Sequence, residues 1–221
     1  MRHTHRVARP ERVVLIHGAA TTGAVWRLVL PLLNDFDVVC PDRASSGDLK
    51  TEVAALLPVC EGAVVVGVSG GATLGLELAA RSNSRLAGCV LHEPAAGSLM
   101  PGLLAEFAAA YRRGGTLAFA KALYGEAWQP SDASSDADAV ARDLRMFQAF
   151  EPAPPAKGCG PVLLTVGELS PPIRHATAAI LGNALCVEVE VLPGARHAVH
   201  LETPEILAST VLQFIEERVR T

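Results

Sequence analysis

Residues Ala63–Gly71, with the sequence AVVVGVSGG, decide the fold class of this chain. The continuous apolar run Ala63–Val68 is rich in β-branched valine, which is typical of a strand covered on both faces of a parallel sheet. A helical pattern, Gly71–Arg81, begins where this run ends. A buried strand that leads directly into a helix predicts an α/β protein.

Similar apolar runs and helical patterns alternate along the rest of the chain. The other predicted strands are Arg12–His17, Asp37–Cys40, Leu86–His92, Pro161–Val166 and Val187–Leu192. The other predicted helices are Ala24–Leu33, Asp48–Leu57, Ile173–Leu181 and Pro204–Arg220, the last with Thr203 as its N-cap. The alternation predicts a doubly wound, mostly parallel sheet with right-handed crossovers.

One long segment, Pro94–Gly160, interrupts this alternation. It has helical patterns at Leu103–Arg113, Leu117–Tyr124 and Ala137–Phe150, and its polar stretch Pro130–Asp138 is predicted to be a mobile loop. We predict a single domain, residues 1–221, whose core is 1–93 and 161–221 and whose helical lid is 94–160. An ordinary helical crossover is the alternative for this segment.

Length and composition exclude several classes of partner. The chain has 221 residues, 50% of them hydrophobic, and a net charge of −4 at pH 7. Nucleic acid is not an expected partner, because phosphate binding needs clustered Lys and Arg. The longest uncharged stretch, Gly62–Leu76, is too short and too rich in glycine to span a membrane. We expect a small-molecule substrate, and the oligomeric state, monomer or homodimer, stays open.

Cysteine usage indicates a reducing compartment. The number of cysteines is odd, no C-x-x-C pair occurs, and Cys40, Cys89 and Cys186 lie in or at the ends of apolar runs, where Cys behaves as a small hydrophobe. The N-terminal residues are basic, but no long apolar run follows them, so a secretory signal is not expected. The sequence predicts a cytoplasmic protein without a disulfide framework.

The segment Gly67–Gly71 has the G-x-S-x-G pattern between a predicted strand and a predicted helix, which is the context that this pattern needs. Its glycines remove Cβ clashes, so that Ser69 can occupy a strained turn with its hydroxyl exposed. The helix behind it presents free N–H groups to a developing anion. Ser69 is therefore a candidate nucleophile. The alternative is a glycine-rich turn in which Ser69 only caps the helix.

Nucleotide-binding motifs fit the same segment poorly. No Gly-Lys-Ser/Thr sequence follows the glycines, which excludes a P-loop. Glu93 ends the next predicted strand, where a carboxylate could bind a ribose, but the glycine spacing differs from the dinucleotide fingerprint.

Two further motifs follow other predicted strands. The first strand ends in His17-Gly18-Ala19-Ala20, where small residues let backbone N–H groups face a shared pocket. The sequence PGARHAVH, between the last strand and the last helix, contains His197 and His200. Ligands bind at the carboxyl ends of the strands in such sheets, so His197 is a candidate site residue. We expect His200 to orient the start of the last helix.

The order of HG, G-x-S-x-G, inserted helices and a His before the terminal helix resembles the α/β-hydrolase superfamily, over about Arg12 to Glu217. The resemblance implies that Ser69 is the nucleophile and His197 its general base. It also implies an oxyanion hole made by the backbone N–H groups of Ala19 and Gly70, and it implies that the inserted helices are a lid. These motifs together are specific to the superfamily but not to a substrate.

The catalytic acid departs from the family's pattern. That acid usually follows the penultimate strand in a sequence like G-E-x-D, whereas Ser170 stands at its position here, in Gly167-Glu168-Leu169-Ser170. A serine cannot stabilise an imidazolium as a carboxylate does. Some members carry the acid after the strand that follows the nucleophile helix, and there this chain has Glu93. Glu93 is the first candidate, and Glu168 or no acid at all are the alternatives. Two short sequences, His92-Glu93-Pro94 at the strand end and Ser170-Pro171 after Gly167-Glu168-Leu169, resemble a bacterial subgroup of these hydrolases that carries the same substitution at the acid position.

The N-terminal part of the chain also departs from the family's pattern, because the family's sheet often has further strands before the strand that ends in His-Gly. The residues before Arg12 leave room for at most one short strand. We therefore predict a trimmed sheet of about six to seven strands.

The resemblance implies hydrolysis of a small carboxylic ester or related acyl compound through an acyl-enzyme. No cofactor is implied, and a metal is disfavoured because His3-x-His5 and His197-x-x-His200 each lack an obvious third ligand. The alternatives are C–C bond hydrolysis, perhydrolysis or a lyase step on the same scaffold, and a non-catalytic binding protein. A thioesterase with a carrier-protein partner is a further alternative, and only Arg112-Arg113 could form its basic patch.

Overall fold

The strands of the computed structural model, which describes residues 12–81 and 83–219, form one parallel sheet. They are β1 (Arg12–Ile16), β2 (Asp37–Val39), β3 (Val64–Val68), β4 (Gly88–His92), β5 (Val162–Gly167) and β6 (Glu188–Leu192). Their order across the sheet is β2-β1-β3-β4-β5-β6, and every neighbouring pair is parallel. The predicted fold class is confirmed, with six strands in the described part of the chain. The segment that contains His3 and His5, and the predicted helix end at Arg220, lie outside the described residues.

The register of the central strands brings several loops together. Ile16 of β1 pairs with Gly67 of β3, and Val68 of β3 pairs with His92 of β4. His92 in turn pairs with Thr165 of β5. The segments that follow β1, β3, β4 and β5 therefore leave the same edge of the sheet, where ligands bind in open α/β folds.

Seven α-helices flank the sheet or lie in the inserted segment, within the described residues. They are α1 (Leu49–Cys60), α2 (Gly70–Ala80), α3 (Ala105–Tyr124), α4 (Ala139–Gln148), α5 (Pro172–Leu185), α6 (Val199–Glu202) and α7 (Pro204–Phe214). The side chains of β1, β3 and β4 are nearly all buried, as expected for strands covered on both faces. No described helix is long and apolar enough to cross a membrane.

Two predicted helices differ from the observed ones. The segment predicted as Ala24–Leu33 forms two short 3₁₀ helices, Gly23–Leu28 and Leu30–Leu33, and the second contains Pro31, which has no N–H to donate to an earlier carbonyl. The last helix ends at Phe214 and continues as a π-helical turn, Ile215–Val219.

Thr203 differs from its predicted role as a capping residue. It precedes α7, but its side chain makes no capping hydrogen bond, and its buried hydroxyl has no partner in the described chain. The reason is that Thr203 also ends α6, with its N–H donating to the carbonyl of Val199.

Cys186 also differs from its prediction. It is exposed at the end of α5 and is not part of an apolar core.

The inserted segment is mainly helical, as predicted. Gly114 and Gly115 interrupt α3, where Gly115 has φ +63°, so that the two predicted helices appear as two halves of one kinked element. The prediction of a mobile loop from Pro130 is wrong for its first residues, which form a 3₁₀ turn. Asp132 in this turn is buried, and its carboxylate accepts hydrogen bonds from Arg27 and from the N–H of Gln129.

Candidate active site

Ser69 occupies the sharp turn between β3 and α2. Its backbone has φ 58° and ψ −122°, a conformation that costs free energy for a residue with a side chain. A Cβ atom on Gly67 would lie 2.5 Å from the carbonyl oxygen of Gly71, and one on Gly71 would lie 1.9 Å from that of Ile16, so both positions need glycine. The Ser69 side chain makes no capping hydrogen bond to α2, in contrast to the alternative in which it is only a helix cap.

The backbone N–H groups of Ala19 and Gly70 lie side by side next to Ser69. A Cβ atom on Gly70 would be 3.4 Å from the Ala19 nitrogen, and neither N–H has an acceptor within the described residues. The peptide between Gly18 and Ala19 is oriented by its carbonyl, which accepts hydrogen bonds from Arg43 Nη2 at 3.1 Å and Thr21 Oγ1 at 3.0 Å. Because N–H and C=O point in opposite directions in a trans peptide, these bonds hold the Ala19 N–H pointing away from Arg43 and Thr21.

His17 also holds the peptide between Gly18 and Ala19 in place. Its Nδ1 donates to the Gly18 carbonyl at 2.9 Å, and its Nε2 accepts from the N–H of Arg43 at 3.1 Å. Burial, together with the charge of Arg43, lowers the pKa of His17 to about 3. His17 is therefore a neutral hydrogen-bonding support at pH 7.

His197 and Glu93 form a hydrogen-bonded pair, with His197 Nδ1 at 2.8 Å from Glu93 Oε2. The other carboxylate oxygen of Glu93 accepts from the N–H of Gly167 at 3.0 Å and from Ser170 Oγ at 2.5 Å. Glu168, the alternative acid, is exposed and accepts from the N–H of Gly194 at 2.8 Å. Ser170, at the position where the family usually has its acid, thus donates a hydrogen bond to Glu93, the carboxylate that contacts His197.

The environment of this pair gives each member the charge state that an acid–base pair needs. Burial alone would raise the pKa of Glu93, but the hydrogen bond and charge of His197, and then the charges of His92 and Arg174, hold it well below its usual range. Burial and the charge of Arg174 lower the pKa of His197 to about 4, although Glu93 opposes this shift. At pH 7 the histidine is neutral and able to accept a proton.

No hydrogen bond joins Ser69 to His197 in the described structure, and Tyr124, at the end of α3, lies close to both residues. Its hydroxyl donates to the carbonyl of Ala19 at 2.9 Å and also interacts with the Ser69 side chain. Its ring stacks on that of His197, with centroids 5.8 Å apart. His197 Nε2 is buried and has no hydrogen-bond partner among the described residues. Sequence reasoning missed Tyr124, and the only local signal is a hydroxyl-bearing aromatic at the end of an apolar helix.

Two other histidines hold the His197 loop. His92 is buried, with Nδ1 at 2.9 Å from Thr165 Oγ1 and Nε2 at 3.0 Å from the carbonyl oxygen of Arg196. His200 lies in α6, where its ring packs against those of Trp26 and Tyr124 at 5.1 and 5.9 Å. Burial lowers the pKa of both imidazoles. His200 contacts aromatic rings and does not contact Glu93.

Two cavities that share some of their lining residues lie at this site. The wider one has a volume of about 310 Å³ and includes His197, Ser170 and Tyr124 in its walls. The smaller one, about 20 Å³, adjoins Ser69, and its other walls are mostly apolar side chains of the inserted segment: Leu104, Phe107, Phe119, Leu123, Leu144 and Phe147. Arg174 of α5 lines both cavities. Within the described chain, no cluster of three or more His, Cys, Asp or Glu side chains could hold a metal ion.

Sequence comparison assigns this architecture to a known family. The sequence model described as Alpha/beta hydrolase family matches residues 13–210, which is most of the chain. The chain belongs to the alpha/beta hydrolase family. No curated protein sequence matches it significantly.

Solved structures with the same fold include several esterases. A lipase-esterase related protein from Clostridium acetobutylicum superposes with a TM-score of 0.72 at 12% identity, covering 93% of this chain and 94% of that one. A thermophilic esterase from Thermogutta terrifontis has a TM-score of 0.68 at 22% identity, with coverages of 95% and 90%. The naproxen esterase of Bacillus subtilis has a TM-score of 0.65 at 17% identity, with coverages of 92% and 82%. At these identities the similarity establishes the fold.

Proposed function

We propose that this protein is a serine hydrolase that cleaves small carboxylic esters through a Ser69–His197–Glu93 triad. The observation that carries the proposal is the 2.8 Å contact between His197 Nδ1 and Glu93 Oε2, at the same edge of the sheet as the strained Ser69 turn. Membership of the alpha/beta hydrolase family, and the esterases among its structural neighbours, support the same conclusion.

The reaction proceeds in two steps. His197 Nε2 removes the hydroxyl proton of Ser69 while Oγ attacks the ester carbonyl, and the oxyanion accepts hydrogen bonds from the N–H groups of Ala19 and Gly70. His197 then protonates the leaving alcohol, and the acyl-enzyme remains. In the second step His197 activates a water molecule, which releases the acid and restores the Ser69 hydroxyl.

Glu93 stabilises the imidazolium that forms in each step. Its charge offsets that of protonated His197, and its hydrogen bond to Nδ1 leaves Nε2 free to accept the proton. For the first transfer, the Ser69 side chain rotates from the Tyr124 hydroxyl toward Nε2. The free Nε2, which has no partner in the described structure, supports this rearrangement on substrate binding.

The inserted segment, residues 94–160, acts as a lid in this proposal. It supplies Tyr124 and the apolar walls beside Ser69, which suit an apolar part of an ester substrate. The reaction needs no cofactor. Free cysteines, as observed for all five, fit a reducing compartment such as the cytoplasm.

The test is hydrolysis of p-nitrophenyl acetate together with labelling by a fluorophosphonate. We expect the wild type to cleave the ester and to be labelled on Ser69, and Ser69→Ala to lose at least about 10⁴-fold in kcat and all labelling. Ser131→Ala, which changes an exposed serine of the inserted segment, is the matched control and keeps wild-type activity. A wild type that is neither active nor labelled would favour a non-catalytic protein on this scaffold.

A further inference from the structure

Arg174 is a buried guanidinium that the proposed triad does not use. It lies in the first turn of α5, its side chain is 5% exposed, and it lines both cavities of the site. Its Nη2 is buried and has no hydrogen-bond partner within the described residues. A buried charged donor without an acceptor is costly, so such a group needs a reason to be there.

Glu93 is the nearest carboxylate, but it is not a full partner for Arg174. Its oxygens already accept hydrogen bonds from Gly167, Ser170 and His197. Arg174 reaches it only through long contacts, Nε to Oε2 at 3.5 Å and Nη1 to the Glu93 carbonyl oxygen at 3.4 Å. These two long contacts involve Nε and Nη1 and leave Nη2 without an acceptor.

The surroundings of Arg174 suit an anion. One face of the guanidinium packs against the ring of Phe107, with Cζ 5.5 Å from the centroid, which fixes its orientation without supplying an acceptor. Arg196 lines the same wider cavity. The carboxylates there, Glu106 and Glu202, are exposed at its walls, whereas the described residues provide no buried acceptor for Nη2.

We propose that Arg174 binds a carboxylate of the substrate, so that the preferred substrates are small esters that also carry a carboxylate group. This inference rests on the proposed function and narrows its substrate class. Nη2, with Nη1 beside it, donates to the substrate carboxylate in the wider cavity, while the ester carbonyl lies at Ser69. Guanidinium is the side-chain group best matched to a carboxylate, because its planar N–H donors can bind both oxygens.

The substrate test compares p-nitrophenyl hemisuccinate with p-nitrophenyl pentanoate, a neutral ester of similar length, at pH 8, where His197 is neutral. We expect wild-type kcat/KM to be at least about tenfold higher for the hemisuccinate. Arg174→Gln removes this preference, and Arg174→Lys retains part of it. Arg85→Gln removes an exposed positive charge before β4, at the opposite end of the sheet, and keeps the preference.

Two results would overturn the proposal. One is a wild type without preference for the anionic ester, and the other is a preference that survives in Arg174→Gln. An Arg174 that only positions Glu93 would give the second result, because Arg174→Gln would then lower kcat equally on both esters and leave the preference unchanged.

A binding experiment separates this proposal from the proposed function. Calorimetry with succinate on the Ser69→Ala variant needs no catalysis. We expect binding that is weakened at least about tenfold by adding Arg174→Gln and unchanged by adding Arg85→Gln. If the wild type cleaves no ester but this binding is observed, the hydrolase proposal fails while the carboxylate site stands. Absence of the binding contradicts the carboxylate site.

Discussion

Ser69 and Glu93 both have a positive φ, 58° and 47°, at the ends of the adjacent strands β3 and β4. Residues with side chains rarely adopt such angles, and they do so where the surrounding structure compensates the cost. At Ser69 the glycines on either side allow the turn. At Glu93 the backbone N–H donates to the carbonyl of Thr165, and the carboxylate is held by Gly167 and Ser170. Both strained residues direct a functional group to the same edge of the sheet.

At the residue scale, we predict that Glu93→Gln lowers kcat by about 10³-fold to 10⁴-fold, because a neutral amide cannot offset the imidazolium charge. Ser170→Ala removes one hydrogen bond to the carboxylate but leaves its charge, so a loss of only about three- to tenfold is expected. Steady-state kinetics on p-nitrophenyl acetate measures both effects. Glu168→Gln is the control at the alternative acid and leaves kcat unchanged. A larger loss in Glu168→Gln than in Glu93→Gln would contradict the acid assignment.

At the scale of elements, a buried ion pair attaches α4 of the inserted segment to the core. Arg43 Nη2 lies 2.6 Å from Asp143 Oδ2, and its Nη1 lies 3.5 Å from Glu52. The same guanidinium donates to the carbonyls of His17 and Gly18, and the Gly18 carbonyl belongs to the peptide that carries the Ala19 N–H. The attachment of α4 and the geometry beside Ser69 therefore depend on one side chain.

We predict that Asp143→Ala lowers the free energy of unfolding by about 3 kcal/mol, because it leaves the Arg43 charge buried with an incomplete set of partners. Urea denaturation measures the loss. Hydrogen exchange is expected to speed up in α4 more than in α2. Asp136→Ala removes an exposed carboxylate paired with Arg142 and serves as the control, with no measurable change. An unchanged urea midpoint in Asp143→Ala would show that this ion pair does not stabilise the attachment.

At the scale of the whole molecule, buried neutral histidines couple stability to pH. His17, His92, His197 and His200 are all buried with lowered pKa values, and the first cause in each case is desolvation. In the unfolded chain a histidine has a pKa of about 6.5, so below that pH the unfolded state binds protons that the folded state does not. The folded state is therefore destabilised as the pH falls.

We predict that the free energy of unfolding decreases between pH 7.5 and pH 5, with each neutral histidine contributing up to about 1.4 kcal/mol per pH unit below pH 6.5. His200→Phe removes one such group, whose Nδ1 has no partner in the described chain, and makes this dependence shallower. Urea titrations at several pH values measure the slope. Asn183→Ala, at an exposed position with a side chain that does not titrate, is the control with a wild-type slope. An equal slope in both variants would contradict the assignment of His200 as a neutral buried group.

Much of the fold followed from local patterns. The β-branched runs predicted all six described strands to within about two residues at their ends. The reason is that a strand buried on both faces needs apolar side chains at consecutive positions. One error arose where a non-local contact determines the structure, because Arg27 anchors Asp132 in a polar stretch that composition alone marks as a loop. Another arose where two helices adjoin, because Thr203 ends α6 and does not cap α7.

The sequence by itself determined the α/β architecture, the strained turn at Ser69 and the short set of candidate site residues, since these depend on periodicity and on glycine chemistry between near neighbours. Only the tertiary structure decided which carboxylate meets His197, that Ser170 donates to it, and that Tyr124 and Arg174 line the site. The physical reason is that these contacts join residues far apart in the chain. Strand register and helix packing set their distances, and no local pattern encodes either.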